Sequence, residues 1–175
     1  VIEAAANGAG DGMKLALNVA AMLLAFTAII ALLNDVTAKV FTDLLGMTIN
    51  SEPIKLTTLI GYAFSVFGLI IGVTPNDAVA FGSILGQKVI LNEFFAYIML
   101  GQVQTQLAEK TVFLATFALC GFANFSSIAI QIGGIGGIAP SRKSDLAKFG
   151  IKSVIGGSIA TLLTASIAGI FFAII

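Results

Sequence analysis

The fold of this chain is decided by the stretch Gly86-Gln87-Lys88-Val89-Ile90-Leu91-Asn92-Glu93-Phe94-Phe95-Ala96-Tyr97, which places one glutamate, Glu93, in strongly apolar surroundings. The segments on both sides of it are hydrophobic enough to lie in a lipid bilayer. An ionised group at that depth costs about 2.5–3.5 kcal/mol or more, and such groups are usually kept because they handle a substrate or an ion. The first hypothesis is therefore a membrane transport site around Glu93.

The composition points to the same environment. Of the 175 residues, 58% are hydrophobic and 10% are charged, whereas a soluble domain carries about 25% charged residues. The chain has no histidine, which excludes the common histidine-based metal and nucleophile chemistry. Nine basic and nine acidic residues cancel, so no nucleic-acid partner is indicated. One cysteine, Cys120, permits no internal disulfide.

Charge-free gaps outline the organisation of the chain, since a membrane-spanning helix needs about 20 apolar residues. Residues 15–34 and 153–175 carry no charge and are predicted to be ordinary spans. Residues 56–73 either span the bilayer or lie along its surface. Residues 111–141 are too long for a simple span and are interrupted at Gly121, at Asn124 and in the glycine run 133–137. This pattern predicts a broken helix, which needs a covering of protein or of a water-filled cavity.

The segment between these two stretches, residues 75–100, contains no 20-residue apolar run because Asp77, Lys88, Asn92 and Glu93 interrupt it. We expect a re-entrant hairpin that descends through residues 78–87, turns near 91–93 and returns through 94–100. Hairpins beside broken helices form the midplane sites of secondary transporters.

The loop charges predict an orientation in the membrane. Residues 141–152 hold four basic residues and one acidic residue, whereas residues 34–55 hold two basic and three acidic ones. The positive-inside rule then places loop 141–152 and the N-terminus in the cytoplasm and the C-terminus outside. The chain starts at Val1 without a signal-peptide pattern, so we expect it to be a piece of a longer polypeptide.

Two polar residues of the broken helix, Asn124 and Ser127, are spaced to share one helical face. Together with the Glu93 carboxylate they provide an acceptor, a carboxamide and a hydroxyl, a set that suits a ligand with several neutral hydroxyls. Phe122 follows the break at Gly121 and is the phenylalanine expected to line a cavity.

Two other interpretations of these residues stay open. Interhelical Asn and Ser hydrogen bonds can simply hold helices together, and Lys88 can pair with Glu93 five residues further on. A serine–lysine hydrolase built on Ser127 and Lys88 has no readable general-base geometry, so we do not expect an enzyme.

Both polar segments resemble the signatures of the concentrative nucleoside transporter family. Gly86-x-Lys88-x-x-x-Asn92-Glu93-Phe94-x-Ala96-Tyr97 is similar to its second re-entrant hairpin. The run from Gly121 to Ile130, Gly-Phe-Ala-Asn-Phe-Ser-Ser-Ile-Ala-Ile, with Ala139-Pro140 after it, is similar to the broken helix that follows. The resemblance covers nearly all of the chain.

The resemblance implies an all-α membrane protein with a fixed order of elements. These are a span at 13–34, an exterior horizontal helix at 55–73, the hairpin at 75–100, the broken helix at 111–139 and a final span at 150–175. It also implies that Glu93, Asn124 and Ser127 bind the ribose hydroxyls, that Phe122 and Leu15 pack on the nucleoside, and that Asn92 has a supporting role.

The family proteins are more than twice as long and consist of two inverted repeats, of which this chain resembles the second. The N-terminal half is then a missing partner, and with it the site of the coupling ion, Na⁺ or H⁺. The implied function is ion-coupled nucleoside symport by alternating access, in a homotrimer of the bacterial inner membrane, without a further cofactor. A porter for another polyhydroxylated or heterocyclic solute and a non-transporting membrane subunit are the alternatives.

Overall fold

The computed structural model describes residues 1–49 and 51–172 and is helical over most of that length. It leaves out the side chains of Leu15, Asn18, Val19, Met22, Leu23, Phe26, Gly137 and Ile138. The chain divides into two compact units, Val1–Leu56 and Thr57–Ile175, which are described one at a time.

The first unit consists mainly of one long helix, α1 (Ile2–Ala38), which continues into a π-helical turn at Lys39–Leu44. A short antiparallel pair of strands, β1 (Thr48–Ile49) and β2 (Glu52–Pro53), follows it. The first predicted span, residues 13–34, lies inside α1, and its passage through a membrane stays a prediction.

The second unit contains six helices in the described residues. They are α2 (Leu56–Ile71, whose first residue belongs to the first unit), α3 (Ala78–Ile90), α4 (Glu93–Val103), α5 (Glu109–Leu119), α6 (Phe125–Ile138) and α7 (Lys143–Phe172). Helices α3 and α4 form a hairpin with only Leu91 and Asn92 between them. Helices α5 and α6 are separated by residues 120–124. The unit is thus a helical hairpin beside a pair of short helices and one long helix.

The glycine run at 133–137 does not break the helix, contrary to the prediction. Helix α6 passes through it without interruption, and a Cβ on Gly133 or Gly134 would meet no atom within 4 Å. Glycine lowers helix stability by about 1 kcal/mol relative to alanine but keeps the backbone hydrogen bond. The four glycines of this run and their neighbours can therefore remain helical where the surrounding sequence is strongly apolar.

The core of the second unit forms around α5. Leu114, Ala115, Ala118 and Leu119 are almost completely buried, and they belong to one hydrophobic cluster with Phe81 of α3, Ala96 of α4 and Ala165 of α7. Small residues allow the close approach: a Cβ on Gly82 of α3 would collide with the backbone of α2 at Gly61 and Ser65. This packing places the hairpin tip, formed by Leu91 and Asn92, next to the break between α5 and α6.

One helix in the described residues, Pro140–Phe172, is long and apolar enough to cross a membrane, judged by length and composition. It begins before the predicted final span at 150–175 and includes the short turn that precedes α7. Residues 173–175 of that span lie outside the described residues.

A buried carboxylate, Asp77, connects the base of the hairpin to the start of α5. Its Oδ2 accepts hydrogen bonds from Oγ1 of Thr74 at 2.8 Å and from the backbone N–H of Ala108 at 2.9 Å. Burial raises the pKa of Asp77, but the hydrogen bonds from Thr111, Ala108 and Thr74 outweigh it and lower the pKa below its ordinary value. The ionised carboxylate therefore stabilises the fold.

We expect Asp77→Ala to lower the free energy of unfolding of the detergent-solubilised protein by about 1–3 kcal/mol at neutral pH, because Ala108 and Thr74 lose their acceptor. The folded pKa is the lowered one, so this stabilisation is present above the unfolded value of about 3.9 and is lost as the pH falls through the folded pKa. Thermal unfolding from pH 7 downward should show the wild type and the variant converging below about pH 4.

The control is Asp145→Ala, which removes an exposed carboxylate that pairs with Arg142 and should cost at most about 1 kcal/mol. A wild-type advantage over Asp77→Ala that is undiminished at the lowest pH would contradict the role given to the ionised carboxylate.

Candidate functional site

Two helix N-termini meet at the polar residues that the sequence singled out. Asn92 precedes α4 and accepts a hydrogen bond from the backbone N–H of Phe95 at 3.0 Å. Asn124 precedes α6 and accepts one from the backbone N–H of Ser127 at 2.8 Å. Both asparagines are thus N-caps, which satisfy backbone donors that a helix leaves unpaired at its start.

The two helix starts are joined by one hydrogen bond. Nδ2 of Asn124 donates to Oε2 of Glu93 at 2.9 Å, across 31 residues of sequence. Glu93 is the first residue of α4, so its carboxylate lies where the positive end of the helix dipole favours a negative charge. The hairpin tip and the helix break therefore form one structure, with the glutamate at its centre.

Asn124 and Ser127 come together for a different reason from the predicted one. The prediction placed both on one face of a helix, but Asn124 has an extended backbone (φ −148°, ψ 167°) and lies outside α6. The two residues form a capping box, in which the Asn124 side chain accepts from the Ser127 backbone N–H and the Ser127 Oγ accepts from the Asn124 backbone N–H at 3.5 Å. The Ser127 hydroxyl also donates to the carbonyl oxygen of Asn124 at 2.6 Å. Both are buried, with exposed fractions of 0% and 4%.

Ser126, which was not predicted to bind the ligand, forms a second bridge between the tip and the break. Its hydroxyl lies 3.0 Å from the carbonyl oxygen of Leu91 and 2.8 Å from Oδ1 of Asn124, and its proton can serve one of them at a time. The Asn-x-x-Ser spacing could have indicated the cap, but no local signal indicates a partner 35 residues away.

The second oxygen of the Glu93 carboxylate is available to a ligand. Within the described part of the chain, Asn124 is its one hydrogen-bond donor and occupies Oε2, and the residue is only partly buried. A carboxylate held by one oxygen can accept hydrogen bonds from neutral hydroxyls with the other.

Phe122 lies within the break, and half of its surface is exposed. With Gly121 and Ser127 it borders a cavity of 620 Å³ between α6 and α7, which has Gln131 and Arg142 among its lining residues. This volume is in the range typical of small-molecule sites. An aromatic surface, a hydroxyl and a partly open groove are therefore found within a few residues of Asn124.

Leu15 and Lys88, both considered earlier, are not among the described contacts of this arrangement. The side chain of Leu15 is not among those that the structure describes, so its contact with a ligand stays a prediction. Lys88 is fully buried and, in the described part of the chain, forms neither a hydrogen bond nor a direct ion pair. The direct Lys88–Glu93 pair is therefore not formed, and Lys88 does not contact the Ser127 hydroxyl as a hydrolase would need. Within residues 1–49 and 51–172 there is also no cluster of three or more acidic or cysteine side chains that could hold a metal ion.

We expect Asn124→Asp to separate the two roles of Asn124. The aspartate still caps α6, but it replaces the donor to Glu93 with another carboxylate oxygen. The free energy of unfolding should fall by about 1.5–3 kcal/mol, the range for losing a hydrogen bond to a charged group. Adding Glu93→Gln to Asn124→Asp supplies an amide donor again and should recover part of this loss in thermal unfolding.

The matched control is Asn92→Asp, the same change at a cap whose side chain accepts from Phe95 and bonds to no other part of the described chain. If Asn124→Asp proves as stable as Asn92→Asp, then the bond between Glu93 and Asn124 does not hold the tip to the break.

The chain is similar to proteins of known type along nearly its whole length. Residues 1–169 match the family model described as Na⁺ dependent nucleoside transporter C-terminus. An uncharacterized transporter, YutK of Bacillus subtilis (strain 168), is 49% identical over 98% of this chain and 41% of its own length. The nucleoside permease NupC of Helicobacter pylori is 39% identical over 97% of this chain and 41% of its own length.

A solved structure, that of CNTnw in an inward-facing substrate-bound state, has a TM-score of 0.87 and 40% sequence identity, covering 99% of this chain and 42% of that one. This likeness confirms the all-helical membrane-transporter fold that the sequence predicted. The chain spans about two fifths of the length of these relatives. It therefore belongs to the concentrative nucleoside transporter family and corresponds to the C-terminal region of that family.

Proposed function

We propose that this chain supplies the ribose-binding half of an ion-coupled nucleoside symporter. The observation that carries the proposal is the hydrogen bond from Asn124 to Glu93, which fixes a carboxylate where two helix N-termini meet and leaves one of its oxygens open. Membership of a family described by Na⁺-dependent nucleoside transport supports this solute class.

In this proposal the open Glu93 oxygen accepts hydrogen bonds from the sugar hydroxyls. Asn124 holds the carboxylate in place, and the Ser127 hydroxyl, which lines the cavity, contributes a further polar contact. The exposed half of Phe122 packs on the nucleoside, as does Leu15, and Asn92 orients Glu93 by fixing the start of α4. A carboxylate repels anions, so the preferred solute is neutral and rich in hydroxyls.

The remaining parts of the proposal concern the whole protein. The solute crosses by alternating access, driven by a gradient of Na⁺ or H⁺. The binding site of this coupling ion lies in the N-terminal half that the relatives possess. The protein acts as a homotrimer in a bacterial inner membrane, with loop 141–152 in the cytoplasm and the C-terminus outside. Because Ser126 and Asn124 tie the hairpin tip to the broken helix, we expect these two elements to move together.

Glu93→Gln should nearly abolish uridine uptake by the intact protein in proteoliposomes, while the protein stays folded and inserted. The amide is a weaker acceptor for the sugar hydroxyls, and the loss of charge-assisted hydrogen bonds of about 1.5–3 kcal/mol corresponds to a roughly 10–150-fold loss of affinity. Uptake is measured under an imposed Na⁺ gradient and separately under an H⁺ gradient, which also identifies the coupling ion.

The matched control is Glu109→Gln, which changes another first-turn glutamate, exposed at the start of α5, and should leave uptake unchanged. Uptake at the wild-type rate by Glu93→Gln would refute the ribose site. Competition by uridine, ribose and uracil separates nucleosides from other solutes. If folded wild-type protein shows no uptake under either gradient, the remaining alternatives are a porter of another solute and a non-transporting membrane subunit.

A further inference from the structure

The most unusual side chain of the second unit is Lys88. Its exposed fraction is 0%, and its Nζ has no hydrogen-bond partner in the described residues. Burying an ammonium group is costly unless it is paired or hydrogen-bonded. A lysine in this position therefore needs a compensating interaction or a function.

Compensation comes from the fold around the hairpin tip. Lys88 lies in the last turn of α3, where the negative end of the helix dipole favours a cation. Glu93 lies in the first turn of α4, where the positive end favours an anion. The two-residue turn of Leu91 and Asn92 thus places Lys88 and Glu93 at complementary helix ends, without a direct ion pair between them.

The neighbouring polar groups do not offer Lys88 another counter-charge. Gln87 donates to Ser83, and Asn92 caps α4. Tyr97 of α4 donates a hydrogen bond from its hydroxyl to the carbonyl oxygen of Thr116, and Cys120 after α5 carries a thiol rather than a carboxylate. Within the described residues, no carboxylate forms a direct ion pair with Lys88, and Glu93 is the carboxylate that starts the next helix across the two-residue turn.

We propose that Lys88 is a positioning residue of the solute site, a buried counter-charge that directs the Glu93 carboxylate at the ligand without occupying its oxygens. A direct ion pair would use the acceptor that the solute needs. A cation held a short distance away stabilises the charge and leaves the open oxygen free. The identity of the solute in this inference rests on the proposed function, whereas the electrostatic pairing does not.

The test is a double-mutant cycle in the intact protein with Lys88→Met, Glu93→Gln and the two together. Lys88→Met should weaken uridine binding at least about tenfold, whereas Lys88→Arg, which keeps the charge, should stay within about threefold of the wild type. In the Glu93→Gln background, Lys88→Met should weaken binding no further, because it acts through the charge of Glu93.

Thermal unfolding provides a readout that needs no ligand. Glu93→Gln leaves the Lys88 ammonium buried without its counter-charge and should lower Tm. The double variant removes both charges and should have a higher Tm than Glu93→Gln alone. The matched control, Lys152→Met, changes an exposed lysine of α7 and should alter neither measurement.

Uridine affinity of Lys88→Met within about twofold of the wild type would overturn the positioning role. A double variant with a lower Tm than Glu93→Gln would overturn the pairing. This comparison remains valid even when Lys88→Met alone does not fold. Wild-type protein that binds no uridine would refute the proposed solute, and the Tm cycle would still decide whether Lys88 and Glu93 compensate each other.

Discussion

The structure of the second unit depends on the requirement that the Glu93 carboxylate be stabilised by protein where water is scarce. A continuous helix cannot do this, because its backbone N–H groups bond to carbonyls of the same helix. Ending one helix and starting another exposes unpaired N–H groups with a positive partial charge. The hairpin tip and the break after α5 provide two such starts, and the hydrogen bond from Asn124 joins them at Glu93.

Each interruption of a helix leaves backbone groups unpaired. The residues that pair with these groups account for much of the remaining polar sequence. Asn92 and Asn124 satisfy N–H groups at the two starts, and Ser126 binds the carbonyl oxygen of Leu91 in the turn. The closely packed helix α5 and the Asp77 carboxylate hold the bases of the same elements. The breaks are therefore set among closely packed and hydrogen-bonded neighbours.

The sequence predicted the helix interruptions correctly where polar residues lie within apolar stretches. Charged and amide residues at 88–93 and 121–124 interrupt apolar stretches, and the turn between α3 and α4 and the break between α5 and α6 lie at these residues. The glycine run at 133–137 gave a wrong prediction, because glycine weakens a helix without removing a hydrogen bond. The geometry of Asn124 was also missed, since the spacing to Ser127 is the same in a capping box and on a helical face. The burial of Lys88 could not be predicted, because it depends on packing between helices distant in sequence.

Under the proposed function, a site for a neutral, hydroxyl-rich solute has to meet two opposing requirements. The acceptor has to be charged to bind hydroxyls strongly, yet a cation in contact with it would compete with the solute and would have to be displaced. Helix N-termini avoid the competition because their partial charges are spread over several backbone groups. The side-chain contact that the structure does make, from Asn124, occupies one oxygen with a neutral donor. The other oxygen remains a strong acceptor, which is the property that a reversible carrier needs: binding firm enough to select the solute and weak enough to release it.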